Sequence, residues 1–151
     1  MSIFNKKPDA AAYIKGGIST PSLFGRVSFY QKKDSVLIVA KIFNLPESAS
    51  GFYGFHIHQG KACTGNSFSN TAGHYNPYEK MHPRHAGDLP PLLAFKSKAY
   101  LAVQTDRFRV KDVIGRAVVI HSGVDDFTTQ PAGNAGEKIA CGIIIKYNVI
   151  H

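Results

Sequence analysis

Six of the seven histidines stand in or beside two stretches rich in Gly, Pro, Asn and Thr, residues 59–91 and 122–138, and their spacing is that of metal ligands. His56 and His58 are two apart in Gly54-Phe55-His56-Ile57-His58. On a strand both imidazoles leave one face while Phe55 and Ile57 enter the other, which presets the pair to grip one ion. Half-exposed strand faces also carry such polar pairs for no further purpose, so this motif alone decides little. A second group, His74, His82, His85 and Asp88, offers three imidazoles and a carboxylate, the donor set of a tetrahedral zinc shell. Pro83 disfavours helical backbone at His82, so His82 and His85 converge from a folded loop and not from a helix face. His121 closes the apolar run Ala117-Val118-Val119-Ile120 and points into whatever the following loop covers. Six histidines and one aspartate exceed the needs of one four-coordinate ion and fit two neighbouring sites. An imidazole-only site suits copper, and histidines with one carboxylate suit zinc.

Short strands must position these groups. Residues 10–14, 25–31, 35–43, 51–58, 99–105, 115–121 and 142–147 are enriched in β-branched and aromatic side chains with partial alternation, and 92–95 adds a short candidate. Turn signals such as Lys32-Lys33-Asp34, Leu45-Pro46-Glu47 and Lys96-Ser97-Lys98 separate them, and no long stretch carries a helical period. Many short strands with frequent turns predict an all-β sandwich or closed barrel. The two histidine-bearing stretches are long for connections in a compact fold, and such loops are usually functional.

A length of 151 residues supports one hydrophobic core, so one domain over residues 1–151 is expected. No run approaches a transmembrane span, which argues against a membrane partner, and no apolar core of a signal peptide follows the N-terminus, so either the protein is cytoplasmic or an export signal is missing from this sequence. The formal charge of +8 is scattered along the chain and not gathered on one element, which argues against nucleic acid. It forms either a solvated surface or a field that draws a small anion inward. Two cysteines, Cys63 and Cys141, are too far apart for a C-x-x-C motif. One long-range disulfide, worth about 4–5 kcal/mol in the chain-entropy picture, competes here with two buried thiols, the usual state in a reducing cytosol.

Taken together, Gly54-Phe55-His56-Ile57-His58, Gly73-His74-Tyr75-Asn76-Pro77, His85-Ala86-Gly87-Asp88-Leu89 and Gly133-Asn134-Ala135-Gly136-Glu137-Lys138-Ile139-Ala140-Cys141-Gly142 resemble the copper/zinc superoxide dismutase family from about Gly25 to Ile145. The resemblance implies a Greek-key barrel of eight antiparallel strands with two long functional loops. It implies a copper site of His56, His58, His74 and His121, a zinc site of His74, His82, His85 and Asp88, and His74 as the bridge and proton carrier between them. It makes Asp125 the outer carboxylate linking His56 to His82, and Cys63–Cys141 an intrasubunit disulfide. Superoxide is the implied substrate, with a homodimer and a copper chaperone as candidate partners.

The sequence also departs from that family. An arginine usually docks the incoming anion where this chain has Lys138, which keeps the charge but not the planar two-pronged donor. Both loops are short beside those of animal members, with only Pro83 and Arg84 between two zinc-type ligands. The reading is therefore a functional, slower enzyme. The rival is a metal-storing relative with little turnover, against which stands the presence of every ligand-type residue. A cupin-like iron oxygenase would need a carboxylate shortly after His56-Ile57-His58, and Gln59-Gly60-Lys61-Ala62-Cys63 supplies none.

Overall fold

The computed structural model describes residues 6–147, and His151 lies outside them. Nine strand segments form: β1 (Ala10–Gly16), β2 (Phe24–Gln31), β3 (Val36–Phe43), β4 (Phe52–Tyr53), β5 (Phe55–His58), β6 (Leu92–Leu93), β7 (Ala99–Thr105), β8 (Ala117–His121) and β9 (Lys138–Lys146). Seven make one antiparallel sheet in the order β5-β8-β9-β1-β2-β3-β7, and β4 pairs with β6. Because β6 also packs beside β7 and β4 runs into β5, the sheet curls back on itself. Counting β4 and β5 as one strand broken at Gly54 gives the eight of the Greek-key scheme.

That break is the main departure from the single strand expected over residues 51–58. The Gly54 amide bonds the Gly123 carbonyl at 2.9 Å, and the Gly54 carbonyl accepts from the His121 amide at 2.8 Å. The run therefore changes partner here, from β6 before Gly54 to β8 after it. A Cβ at Gly54 would stand 2.7 Å from the Ala135 Cβ and 3.1 Å from the His121 Cβ, so the site where the strand switches has no room for a side chain.

Strand β9 begins at Lys138, four residues before the expected Gly142, so Lys138 is a strand residue and not the last of a loop. Alternation failed as a guide because this strand is covered on both sides. Ile139, Ala140 and Ile144 enter the main core, while Cys141 packs outward with Ala117 and Val119 beneath Cys63 and Phe68. Gly142 approaches β1 so closely that a Cβ would lie 2.5 Å from the Tyr13 carbonyl oxygen. Two short helical turns, Asn66–Thr71 in the first loop and α1 (Val110–Val113) before β8, complete the elements. Leu92–Leu93 is shorter than the expected 92–95.

Inside the barrel Val27, Phe29, Ile38, Ile42, Phe55, Ile57, Val118 and Ile120 are fully buried. Burial of each large aliphatic or aromatic group stabilises the fold by roughly 1.5–3 kcal/mol. This rigid wall carries the histidines of β5 and β8 on its outer side.

Candidate metal centre

Alternation on β5 does what the spacing predicted. Phe55 and Ile57 belong to the core, and His56 and His58 leave the opposite face beneath the loops, so that all four are buried. His121, at the end of β8, comes to the same place because β8 pairs with β5. The free edge of β5 is then covered by the first loop. The Tyr75 amide bonds the Ile57 carbonyl and the Ile57 amide bonds the Gly87 carbonyl, each at 2.8 Å. These bonds set His74 opposite His58 and Asp88 opposite His56. Gly87 is required at this crossing, since a Cβ there would stand 2.2 Å from the Ile57 oxygen. An exposed edge has thus become the scaffold that brings loop ligands to strand ligands.

Two clusters result, each with its donor atoms within 4.8 Å of one another: His56, His58, His74 and His121 in the first, and His74, His82, His85 and Asp88 in the second. His74 belongs to both. In the second, His74 Nδ1 lies 2.8 Å from Asp88 Oδ1 and 3.2 Å from His85 Nδ1, and His82 Nδ1 lies 3.1 Å from Asp88 Oδ2. Bonds of about 2.0–2.1 Å to a tetrahedral zinc ion space its ligand atoms about 3.3 Å apart, which these separations approach.

Hydrogen bonds on the far side of each ring fix which nitrogen is left bare. His58 Nδ1 faces the Ala72 carbonyl at 2.8 Å and His121 Nδ1 faces the Gly136 carbonyl at 3.2 Å. A carbonyl only accepts, so both Nδ1 atoms carry the proton and both Nε2 atoms carry a lone pair. Those two Nε2 atoms nevertheless sit 3.2 Å apart. Two lone pairs at that distance repel unless a cation lies between them. Asp125 does the same for two more rings, accepting from His56 Nε2 and His82 Nε2 at 2.8 Å each. His56 Nδ1, His74 Nε2 and His82 Nδ1 are buried with no hydrogen-bond partner among the described residues. Buried polar atoms without partners are rare in native folds, and here they converge, so the donor set fits two cations. The third close group, His56, His82 and Asp125, is the hydrogen-bonded link between the two clusters.

Electrostatics agree with neutral, metal-ready rings. Burial and the neighbouring His121 push His58 down to about 2, and burial with His56 nearby pushes His121 down to about 3. Burial also lowers His56 and His85. Burial alone would raise Asp125, but the bonds from His56, His82 and the Phe127 amide together hold its carboxyl well below the usual range. Asp88 is likewise held low, its burial outweighed by His74, His82 and His85.

Gln130, Arg107 and Ala72 contribute to the site without any sequence signal, beside residues that the sequence did single out. Gln130 clamps the backbone of His82, its Oε1 accepting from the His82 amide at 2.8 Å and its Nε2 donating to the His82 carbonyl at 2.7 Å. Arg107 donates to the carbonyls of Pro83 and His85 at 2.8 and 3.1 Å. Ala72 has φ of +57°, a region residues with a Cβ seldom enter, and its carbonyl accepts from both His58 and Lys138. Lys138 Nζ also donates to Thr71 Oγ1 at 2.8 Å, and burial lowers its pKa. At Gly133, φ is +70° and a Cβ would fall 2.0 Å from Asp125 Oδ1 and 2.7 Å from His82 Nε2, so only glycine fits beneath the Asp125 link. Cys63 and Cys141 form a disulfide, with Cα atoms 5.7 Å apart, which ties the first loop to β9.

Fold and site define a class, a Greek-key barrel with paired imidazole-rich metal clusters. The family model described as copper/zinc superoxide dismutase matches residues 23–144. A superoxide dismutase [Cu-Zn] of Aquifex aeolicus is 37% identical over 138 residues, covering 81% of this chain and 79% of that protein. One from Legionella pneumophila is 36% identical and covers 82% and 79%. An extracellular superoxide dismutase [Cu-Zn] of Caenorhabditis elegans is 34% identical and covers 89% and 68%. The chain belongs to the copper/zinc superoxide dismutase family, and its buried histidine and aspartate clusters suit copper and zinc.

Proposed function

We propose that the chain disproportionates superoxide, with His56, His58, His74 and His121 holding copper and His74, His82, His85 and Asp88 holding zinc. The observation that carries this reading is the shared ring of His74, whose Nδ1 stands with His85 and Asp88 while its Nε2, like His56 Nδ1 and His82 Nδ1, is buried without a hydrogen-bond partner among the described residues. Two superoxide anions and two protons become one O2 and one H2O2. Copper in the first cluster supplies the one-electron couple, and zinc in the second supplies a fixed positive charge.

The rest of the work falls to the chain's own groups. His74 Nε2 has no hydrogen-bond partner, so it can hold a proton and hand it to a developing peroxide while Nδ1 stays among His85 and Asp88. Asp125 keeps His56 and His82 in fixed tautomers and so holds the two clusters in register. Lys138 brings an ammonium to the first cluster's rim, where Thr71 and Ala72 take two of its three donors and leave one for an arriving anion. The chain's positive charge favours that arrival. Lys138 and His74 are thus the groups that act on substrate.

The test is turnover of protein loaded with both metals, across a salt series. One copper and one zinc per chain, with rapid superoxide consumption that slows as salt rises, supports the reading; full loading without turnover refutes it. That refuting outcome is the metal-storage alternative, and the observation in its favour is that Lys138 stands where the family carries arginine. A single domain, a homodimer and delivery of copper by a chaperone belong to the same proposal. Sedimentation of the loaded protein tests the dimer, and copper uptake from a glutathione buffer with and without a donor protein tests the chaperone. No helix among the described residues is long and apolar enough to cross a membrane. A cytoplasmic location remains a proposal beside relatives named extracellular, and fractionation of the source cells decides it.

A further inference from the structure

The wall of the barrel opposite the metal clusters carries a second assembly of functional groups. In the closed strand order, β2 lies across the barrel from β5. A cavity of about 260 Å³ opens there on the outer face of β2 and β3. Four cations line it, Lys6, Lys7, Arg26 and Lys41, together with Tyr30, Tyr100 and Tyr147, and among the described residues no acidic side chain does. Register explains the crowding. Arg26 on β2 is the direct cross-strand partner of Lys41 on β3, and Lys41 is that of Tyr100 on β7. Like charges placed opposite each other on adjacent strands destabilise a sheet. None of these four cations makes an ion pair among the described residues, where every carboxylate pair involves a histidine of the metal clusters. A soluble surface alone does not require uncompensated cations in register around a concavity. Charges of one sign in a cleft focus the field and concentrate the opposite ion.

From this juxtaposition we infer that the cavity binds a small aromatic phosphate of the nucleoside diphosphate type, at a site separate from the metal centre. The cations meet the phosphates, with Arg26 offering the planar fork that suits phosphate oxygens. The tyrosines offer ring faces to the base, as aromatic side chains do wherever single bases are held. At about 260 Å³ the cavity falls just below the usual range for organic ligands and lies open at the sheet surface, which suits a partly exposed mononucleotide over a larger, enclosed cofactor.

The test is calorimetric titration of the metal-loaded protein with ADP, with inorganic pyrophosphate and adenosine run in parallel at low salt. ADP binding in the micromolar range, tighter than either fragment, weakened at least tenfold by Arg26→Ser with Lys41→Ser and at least threefold by Tyr100→Ala, supports the site. Affinity unchanged in the double variant overturns it, and so does pyrophosphate binding as tightly as ADP, because the tyrosines then contribute nothing. Binding of heparin or RNA without ADP also overturns it, in favour of an extended polyanion surface. Thermal melting of the double variant without ligand gives an independent readout. Relief of the Arg26–Lys41 repulsion predicts a melting temperature equal to or above that of the parent, and a clear fall means that these cations are structural.

Discussion

The two metal clusters are built by different means. In the first, His56, His58 and His121 stand on paired strands whose opposite faces are locked in the core, so their placement follows from sheet register. In the second, His82 and His85 stand on a loop, and other chain segments must hold them: Gln130 and Asp125 from the second loop, Arg107 from beyond β7. Strand-borne ligands are preorganised by the same burial that folds the barrel. Loop-borne ligands are preorganised by a few long-range hydrogen bonds, each of which can be lost without unfolding anything. Copper binding should therefore resist mutation outside its ligands, while zinc binding should be easily disturbed.

The largest effect is expected from His74→Ala, which removes the one ring common to both clusters. Superoxide turnover should fall below detection and metal uptake should drop below two ions per chain, measured by elemental analysis of the same sample. Next comes Gly133→Ala. Its Cβ would collide with Asp125 and His82 at a positive φ, so zinc affinity should fall about 10–100-fold, the usual cost of losing an outer partner of metal-bound histidine. Competition with a chromophoric chelator reads this directly, and copper affinity should fall by less, because Asp125 also bonds His56 but the strand and not the loop holds that ring. Gln130→Ala sharpens the contrast with a smaller effect, about tenfold weaker zinc. A copper loss as large as the zinc loss in that variant would erase the distinction between strand-borne and loop-borne sites.

Acid should disturb the metal-free protein in a defined direction. His58 and His121 have folded values of about 2 and 3, below the ordinary 6.5. The unfolded chain then takes up protons first as pH falls below about 6.5, so the stability these rings contribute is full above that pH and declines steadily below it. The lowered Asp88 and Asp125 add a second loss below about pH 4, the ordinary carboxylate range. Melting of the metal-free protein should therefore drop between pH 7 and pH 5. Loading with both metals should raise the melting temperature throughout but leave that drop in place, since the unfolded chain still takes up the protons that the bound rings cannot. A melting temperature independent of pH over that interval in the metal-free protein would contradict the buried neutral rings.

Much of this was legible in the sequence where one element sufficed to decide it. Alternation in Phe55-His56-Ile57-His58 showed that the two imidazoles share one face, and the positions of most strands followed from β-branched runs and turns. Segments covered on both faces were harder, as in β9, where Ile139, Ala140 and Cys141 are all buried and no alternation marks the start. The partner switch at Gly54 depends on contacts with Gly123 and Ala135, some 70 to 80 residues away. Gln130 and Arg107 were invisible for the same reason, because a glutamine side chain clamping a backbone 48 residues distant leaves no local pattern. Asp125 was found only through family resemblance, and a turn aspartate would have read identically.

Anomalous diffraction at the copper and zinc edges, from crystals of protein loaded with both metals, tests the central claim most directly. One copper peak bounded by His56 Nδ1, His58 Nε2 and His121 Nε2, and one zinc peak bounded by His82 Nδ1, His85 Nδ1 and Asp88, on opposite sides of the His74 ring, is the predicted result. A single peak occupied by either metal, or a metal bound without His74, would contradict it.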